Sequence, residues 1–94
     1  MKNSTLFKRT ILVIEDNDIN REILSSIFSN EYKILEAKNG KEGLDILNQL
    51  SNQISLVLLD IQMPIMNGFE FLNEIKNNDK LLQIPIIVTT SEKQ

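Results

Sequence analysis

The stretch Ile54-Ser55-Leu56-Val57-Leu58-Leu59-Asp60 is a mostly apolar run that ends at a single carboxylate. Its centre carries no polar side chain, so it lacks the alternation of a half-exposed strand and indicates a parallel strand buried on both faces. A buried helix is the alternative, but the run is short and Pro64 follows closely. A strand here places Asp60 at its carboxyl end, where open α/β sheets hold their ligand sites. The other interpretation is that Asp60 has no ligand and is only the polar residue at which the chain emerges from the core and which caps the next element.

Outward from this run, three further strands are predicted. Residues 10–14 are a threonine followed by four apolar residues, and Glu15-Asp16 comes directly after them. Residues 32–37 mix polar and apolar side chains, as an edge strand does, and residues 84–90 form a β-branched strand with a proline near its start.

The segments between the strands show helical spacing of apolar residues. In the first segment Asp18 is the predicted cap. Its inner face, opposite Arg21, is predicted to hold Ile19, Ile23, Leu24, Ile27 and Phe28.

Asn39 and Glu42 resemble a capping box before the second helix, which Gly43 is expected to weaken by roughly 0.5–1 kcal/mol relative to alanine. A third helix follows Asn67-Gly68 and ends near Asn77. Four strands alternating with three helices predict an α/β fold, a three-layer doubly wound parallel sheet with right-handed crossovers.

The composition restricts the chemistry that is possible. The 94 residues suit one domain, 10–94, after a lead-in at 1–9, and a net charge of −3 without a basic run argues against nucleic-acid binding. Histidine and cysteine are absent, which leaves oxygen atoms as metal ligands. Neither a membrane span nor a signal peptide is evident, so a cytoplasmic location with no membrane association is expected.

The carboxyl ends of parallel strands share one edge of the sheet, so Glu15, Asp16 and Asp60 are predicted to converge. Carboxylates about 4 Å apart repel by roughly 4 kcal/mol at an effective dielectric of about 20, so a cation is expected to offset them. Oxygen ligands in an open cleft favour Mg²⁺, which Mn²⁺ could replace. The alternative is that the acids are solvated helix caps.

Three motifs in register resemble the receiver domain of bacterial two-component response regulators. They are the first strand with Glu15-Asp16, the pattern Leu59-Asp60-x-x-Met63-Pro64-x-Met66-x-Gly68, and the strand Pro85 to Ser91. The resemblance covers the chain from about Thr10 to its last residue. It implies a flavodoxin-like receiver fold.

In that family the residue at the position of Asp60 accepts a phosphoryl group from a histidine kinase or a histidine phosphotransfer protein. The resemblance implies that Glu15, Asp16 and Asp60 hold Mg²⁺, aided by the backbone carbonyl of Gln62. It also implies that the hydroxyl of Thr90 moves toward the phosphoryl oxygens and reports phosphorylation.

The chain departs from the family in two places. Asn67 stands where aspartate is usual, and the sequence ends at Gln94, before a fifth strand, its lysine and the last two helices. A truncated receiver is therefore expected. Its 84–90 strand would form an exposed edge, which favours a homodimer or a higher assembly.

The same residues allow three other functions to be considered for this chain: a phosphohydrolase, an association module and a calcium-binding loop. A phosphohydrolase that uses Asp60 as nucleophile typically needs a second acid where Gln62 stands, so we predict a switch and not an enzyme. An association module without efficient phosphorylation is the alternative function. A calcium loop beginning at Asp16 is disfavoured because Arg21 and Ile27 stand where an EF-hand needs glycine and glutamate.

Overall fold

The computed structural model describes residues 8–61 and 66–89 of the chain. Strands and helices alternate in the order β1 (Arg9–Ile14), α1 (Asp18–Phe28), β2 (Tyr32–Ala37), α2 (Gly40–Leu50), β3 (Ile54–Asp60), α3 (Gly68–Lys76) and β4 (Ile86–Thr89). A short 3₁₀ helix at Ser51–Gln53 joins α2 to β3. Each predicted strand and helix is present, with ends that differ from the prediction by at most about two residues.

The four strands form one parallel sheet in the order β2-β1-β3-β4. β1 and β3 lie at the centre, and β3 is buried over its last four residues. Within the described sheet, β2 and β4 are the edges. The buried parallel strand predicted at 54–60 and the doubly wound α/β fold are therefore confirmed.

Apolar side chains fill both faces of the sheet. The larger cluster lies under α2 and α3, where Leu47 and Phe71 pack with residues of the central strands such as Leu12 and Leu59. The smaller cluster lies under α1 and is built around Ile11, Val13, Leu58 and their neighbours. Burial of each large apolar side chain contributes roughly 1.5–3 kcal/mol, so these two layers hold the sheet and helices together.

The face that α1 turns to the sheet differs from the prediction. Leu24 and Phe28 pack against the smaller cluster as predicted. The other three predicted inner residues are exposed, by 67% for Ile19, 52% for Ile23 and 62% for Ile27. Arg21, predicted to face outward, is buried. The prediction was wrong because it ranked side chains by hydrophobicity alone, whereas the buried guanidinium finds acceptors at the sheet edge.

The N-terminal caps also refine the prediction. Asn17, and not Asp18, caps α1, because its side chain accepts a hydrogen bond from the Asn20 N–H. Asn39 caps α2 by accepting from the Glu42 N–H. The Glu42 carboxylate accepts a hydrogen bond from the backbone N–H of Lys38, one residue before the cap.

The connection from β3 to α3 ends in a complete capping box. Asn67 accepts from the Glu70 N–H, and the Glu70 carboxylate accepts from the Asn67 N–H, both at 2.9 Å. A Cβ on Gly68 would lie 2.6 Å from the Cα of Ile61, so only glycine fits there. This close contact brings the start of α3 against the end of β3.

Gly43 lies where α2 packs on β1. A Cβ at this position would lie 2.4 Å from Cδ1 of Ile14. Gly43→Ala is therefore expected to lower the free energy of unfolding by about 1–3 kcal/mol, although alanine favours the helix. The double variant Gly43→Ala/Ile14→Val, which lacks the clashing methyl group, should recover part of the loss in urea titrations. A single variant more stable than the wild type would contradict this packing account.

Candidate functional site

Three acids meet at the carboxyl edge of the sheet. Glu15 and Asp16 follow β1 directly, and Asp60 is the last residue of β3, the neighbouring strand. Each offers a carboxylate oxygen, and these oxygens all lie within 4.8 Å of one another. Glu15 and Asp60 are only 3% and 1% exposed, whereas Asp16 is half-buried. The structure thus places together the acids that parallel topology predicts to converge.

The environment of Glu15 favours its protonated form. Burial raises the pKa of Glu15 from 4.5 to about 7, and a hydrogen bond from the Asn17 N–H at 3.1 Å opposes this rise. The charge of Asp60, a hydrogen bond with its side chain, and the charge of Asp16 raise the pKa further. Near neutral pH the cluster therefore holds a proton that a cation could replace.

The ligand atoms suit a hard divalent cation. The cluster consists of carboxylate oxygens, which Mg²⁺ prefers. Oδ1 of Asp16 is buried and accepts no hydrogen bond from the described part of the chain. A buried anionic oxygen without a donor is costly, so a cation at this position would satisfy it.

Arg21 lies directly behind this cluster. Its Nη1 donates to the carbonyl oxygen of Glu15 at 2.8 Å, in a buried hydrogen bond. Its other nitrogens bind Asp18 on α1 and Glu36 on β2. Ser25 donates to the second oxygen of Glu36 at 2.7 Å. This network was not predicted from the sequence, where its one local signal is the i, i+3 spacing of Asp18 and Arg21.

Two predicted site residues, Gln62 and Thr90, lie outside the described residues. Thr89 is the register partner of Asp60, and its hydroxyl donates to the carbonyl oxygen of Leu59 at 3.3 Å. The roles predicted for Gln62 and Thr90 stay predictions.

Comparison with known proteins identifies the fold and its family. Residues 11–94 match the response regulator receiver domain family. The chain belongs to this family. Receivers of this family accept phosphoryl groups in two-component signalling, as the sequence analysis predicted, and the association module is not favoured as an alternative function.

Relatives carry the receiver in different contexts. The chain is 40% identical over 92 residues to a probable cyclic di-GMP phosphodiesterase of Vibrio cholerae, covering 98% of this chain and 20% of that protein. The phosphorylated cyanobacterial phytochrome response regulator RcpA matches with a TM-score of 0.82 and 26% identity, covering 94% of this chain and 69% of the other.

A third match comes from a complex. One chain comes from the co-crystal of the Saccharomyces cerevisiae histidine phosphotransfer protein Ypd1 with the receiver of Ssk1. It matches with a TM-score of 0.73 and 29% identity, covering 88% of this chain and 62% of that chain. The chain spans less than two thirds of the length of the first curated relatives that it matches. In the part of the chain that the structure describes, no helix has the length and apolar character needed to span a membrane.

Proposed function

We propose that this receiver accepts a phosphoryl group on Asp60, with Mg²⁺ held by Glu15, Asp16 and Asp60. The observation that carries the proposal is a buried carboxylate at the end of β3 whose oxygen lies within 4.8 Å of oxygens from two other acids. The backbone carbonyl of Gln62 is included as a ligand on the family resemblance. When bound, the cation supplies positive charge that offsets repulsion between the carboxylates and the incoming phosphoryl group.

Asp60 is the nucleophile in this proposal. One oxygen of its carboxylate attacks phosphorus, the bond from phosphorus to the donor imidazole nitrogen breaks, and the imidazole keeps the electron pair. Glu15 and Asp16 remain carboxylates and orient the site. The two central strands hold all three acids in place, so most of the rate enhancement comes from positioning and charge.

Thr90 is proposed as the residue that detects phosphorylation. It follows Thr89, whose Cα pairs with that of Asp60 across β3 and β4. A hydroxyl at this edge would gain a charge-assisted hydrogen bond once a phosphoryl group is present. A change in its rotamer would then carry the signal along β4.

We propose a switch and not an enzyme. Gln62 stands two residues after Asp60, where a phosphohydrolase of this type typically needs a second acid. The phosphodiesterase name belongs to a relative of which this chain spans 20%.

A cytoplasmic location stays a prediction.

Phosphorylation with a small-molecule donor tests the proposed function. The protein is incubated with acetyl phosphate and MgCl₂, and the adduct is counted by intact mass and mapped on peptides. One phosphoryl group on Asp60, absent when EDTA replaces MgCl₂, is expected. Labelling at another residue, or equal labelling in EDTA, would overturn the assignment. If the adduct is too short-lived to map, titration with beryllium fluoride followed by NMR serves the same purpose.

The phosphodonor is proposed to be a histidine kinase or a histidine phosphotransfer protein that docks on the exposed isoleucines of α1. Ile19, Ile23 and Ile27 are four residues apart and share one helical face. α1 begins at the acidic edge, and a donor histidine must come within bonding distance of Asp60, so the donor surface must cover this end of the helix. Co-crystallisation of a matched receiver with a histidine phosphotransfer protein supports this class of partner.

Ile23→Asp is therefore expected to slow transfer from a phosphotransfer protein by about tenfold or more, because it places a charge in an apolar contact. Labelling by acetyl phosphate, which needs no docking, should be unchanged. Leu82→Asp is the matched control, since Leu82 is also about half exposed but lies on the turn after α3. Equal slowing by both variants, or none by Ile23→Asp, would contradict docking on α1.

The 94-residue chain is also proposed to associate with a second copy through β4. Within the described sheet β4 pairs only with β3, and Ile87 and Val88 are 52% and 40% exposed. No charged side chain lies between residues 84 and 89, so nothing there opposes pairing of edge strands. Light scattering at low micromolar concentration should show a dimer or larger species, and Ile87→Lys should shift it to monomer. A well-folded wild-type monomer at that concentration would refute the association.

A further inference from the structure

Arg21 is a buried cation placed between three elements of the fold. Its side chain is 11% exposed. One nitrogen binds the Glu15 carbonyl oxygen after β1, one binds Glu36 on β2 at 3.2 Å, and one binds Asp18 in the first turn of α1 at 2.6 Å. A planar guanidinium can reach three such acceptors at once, and an ammonium group cannot match this geometry.

The carbonyl that Arg21 binds has a special position. It belongs to the peptide unit that joins Glu15 to Asp16, so its orientation constrains the backbone from which both of these side chains extend. Those carboxylates lie near each other and near Asp60, and their charges repel. The turn that carries them must therefore be held from outside the cluster. Arg21 provides such support, because its side chain donates a buried hydrogen bond to this peptide unit.

We propose that Arg21 is a positioning residue for the acidic site, which holds the Glu15-Asp16 turn in the geometry that binds Mg²⁺. Glu36, fixed in turn by Ser25, and Asp18 keep the guanidinium in place. The inference rests on the proposed function, because it assumes that the cluster is a Mg²⁺ site.

Positioning and simple charge make opposite predictions for this residue. If Arg21 acted only through its positive charge, removing it would make the site more negative and tighten Mg²⁺ binding. If it holds the turn, removing it weakens binding, because the acids relax away from one another. Salt adds a second distinction, since a long-range charge effect is screened by salt and a change of geometry is not.

The experiment measures the Mg²⁺ dissociation constant by NMR titration of the full 94-residue chain, at a temperature where the spectra show each variant to be folded. Arg21→Met is expected to raise the dissociation constant about tenfold, at both low and moderate salt. Arg21→Lys, which keeps the charge but loses the planar fork, should raise it by a smaller factor. Leu24→Ala is the matched control, because it removes packing on the same helix without touching the turn.

The outcomes separate the inference from the function on which it rests. Wild type and Asp60→Asn are titrated first, and equal Mg²⁺ affinity in these two would refute the proposed site itself. If wild type binds through Asp60 but Arg21→Met binds equally or more tightly, only the positioning role fails. Weakening by Leu24→Ala as large as that by Arg21→Met would show a general loss of stability and would also overturn it. Should Arg21→Met not fold, Arg21→Lys and Glu36→Gln test the positioning role instead. The first replaces the guanidinium and the second removes the charge of one of its acceptors, so both are expected to weaken Mg²⁺ binding, and unchanged binding in both would overturn the role.

Discussion

Replacing Asp60 with asparagine is expected to reduce phosphorylation by acetyl phosphate by about 100-fold or more, because the carboxylate that we propose as the nucleophile is lost while the site keeps its shape. The same substitution should stabilise the Mg²⁺-free protein at pH 8. It removes one charge from a cluster in which oxygens of three acids lie within 4.8 Å, a gain of roughly 1–3 kcal/mol. Initial labelling rates and urea titrations in EDTA measure the two effects.

The opposite signs of these two effects make the prediction specific. If Asp60 mattered only for folding, its replacement would lower both the stability of the protein and the rate of its phosphorylation. Asp79→Asn is the matched control, since it changes charge equally on an exposed residue and should alter stability by no more than about 0.5 kcal/mol. An Asp60→Asn protein that is less stable than wild type in EDTA would show that the acids do not repel in the folded state.

The Mg²⁺-free protein is also expected to lose stability as pH rises from about 4.5 to above 7. The pKa of Glu15 is about 7 when folded and 4.5 ordinarily. Between these values the folded state keeps a proton that the unfolded state has released, so the free energy of unfolding falls with increasing pH. The contribution is fully present below pH 4.5 and is lost above about pH 7, a change of about 3 kcal/mol.

Urea titrations at pH 5.5 and pH 8 in EDTA measure this loss, and the same titrations in MgCl₂ should show a smaller one, because the cation competes with the proton. Apparent Mg²⁺ affinity should accordingly rise through about pH 7. Glu15→Gln, which is neutral at every pH, is the control and should flatten the dependence. If Glu15→Gln loses as much stability as the wild type over this range, Glu15 is not the titrating group.

The amino-acid sequence was sufficient for the architecture and for the position of the acids. The apolar runs before Glu15 and Asp60 identify buried parallel strands, and parallel strands place their carboxyl ends on one edge. These properties depend on local composition and on a general rule of topology. The family resemblance added the flavodoxin-like receiver fold, and the structure shows its four described strands in the order β2-β1-β3-β4.

Packing at close range could not be inferred in the same way. Gly43 looked like a weak point of α2, yet its missing side chain leaves room for Ile14. Asn17 and Asp18 are both residue types that cap helices well, and Asn17 is the cap because α1 begins at Asp18. The first depends on how closely α2 packs on β1, and the second depends on the one residue at which α1 begins.

The side of α1 that faces the sheet was decided only by the tertiary structure. By hydrophobicity Ile19, Ile23 and Ile27 should be inside and Arg21 outside, and the reverse is observed. Burying a guanidinium is favourable only where several acceptors meet it. Glu36 lies on β2 and the Glu15 carbonyl follows β1, so the two acceptors come together only when these strands pair. The sequence by itself determined which acids converge, whereas the tertiary structure decided that a buried arginine binds the turn that carries two of them, because its acceptors meet only after the sheet has formed.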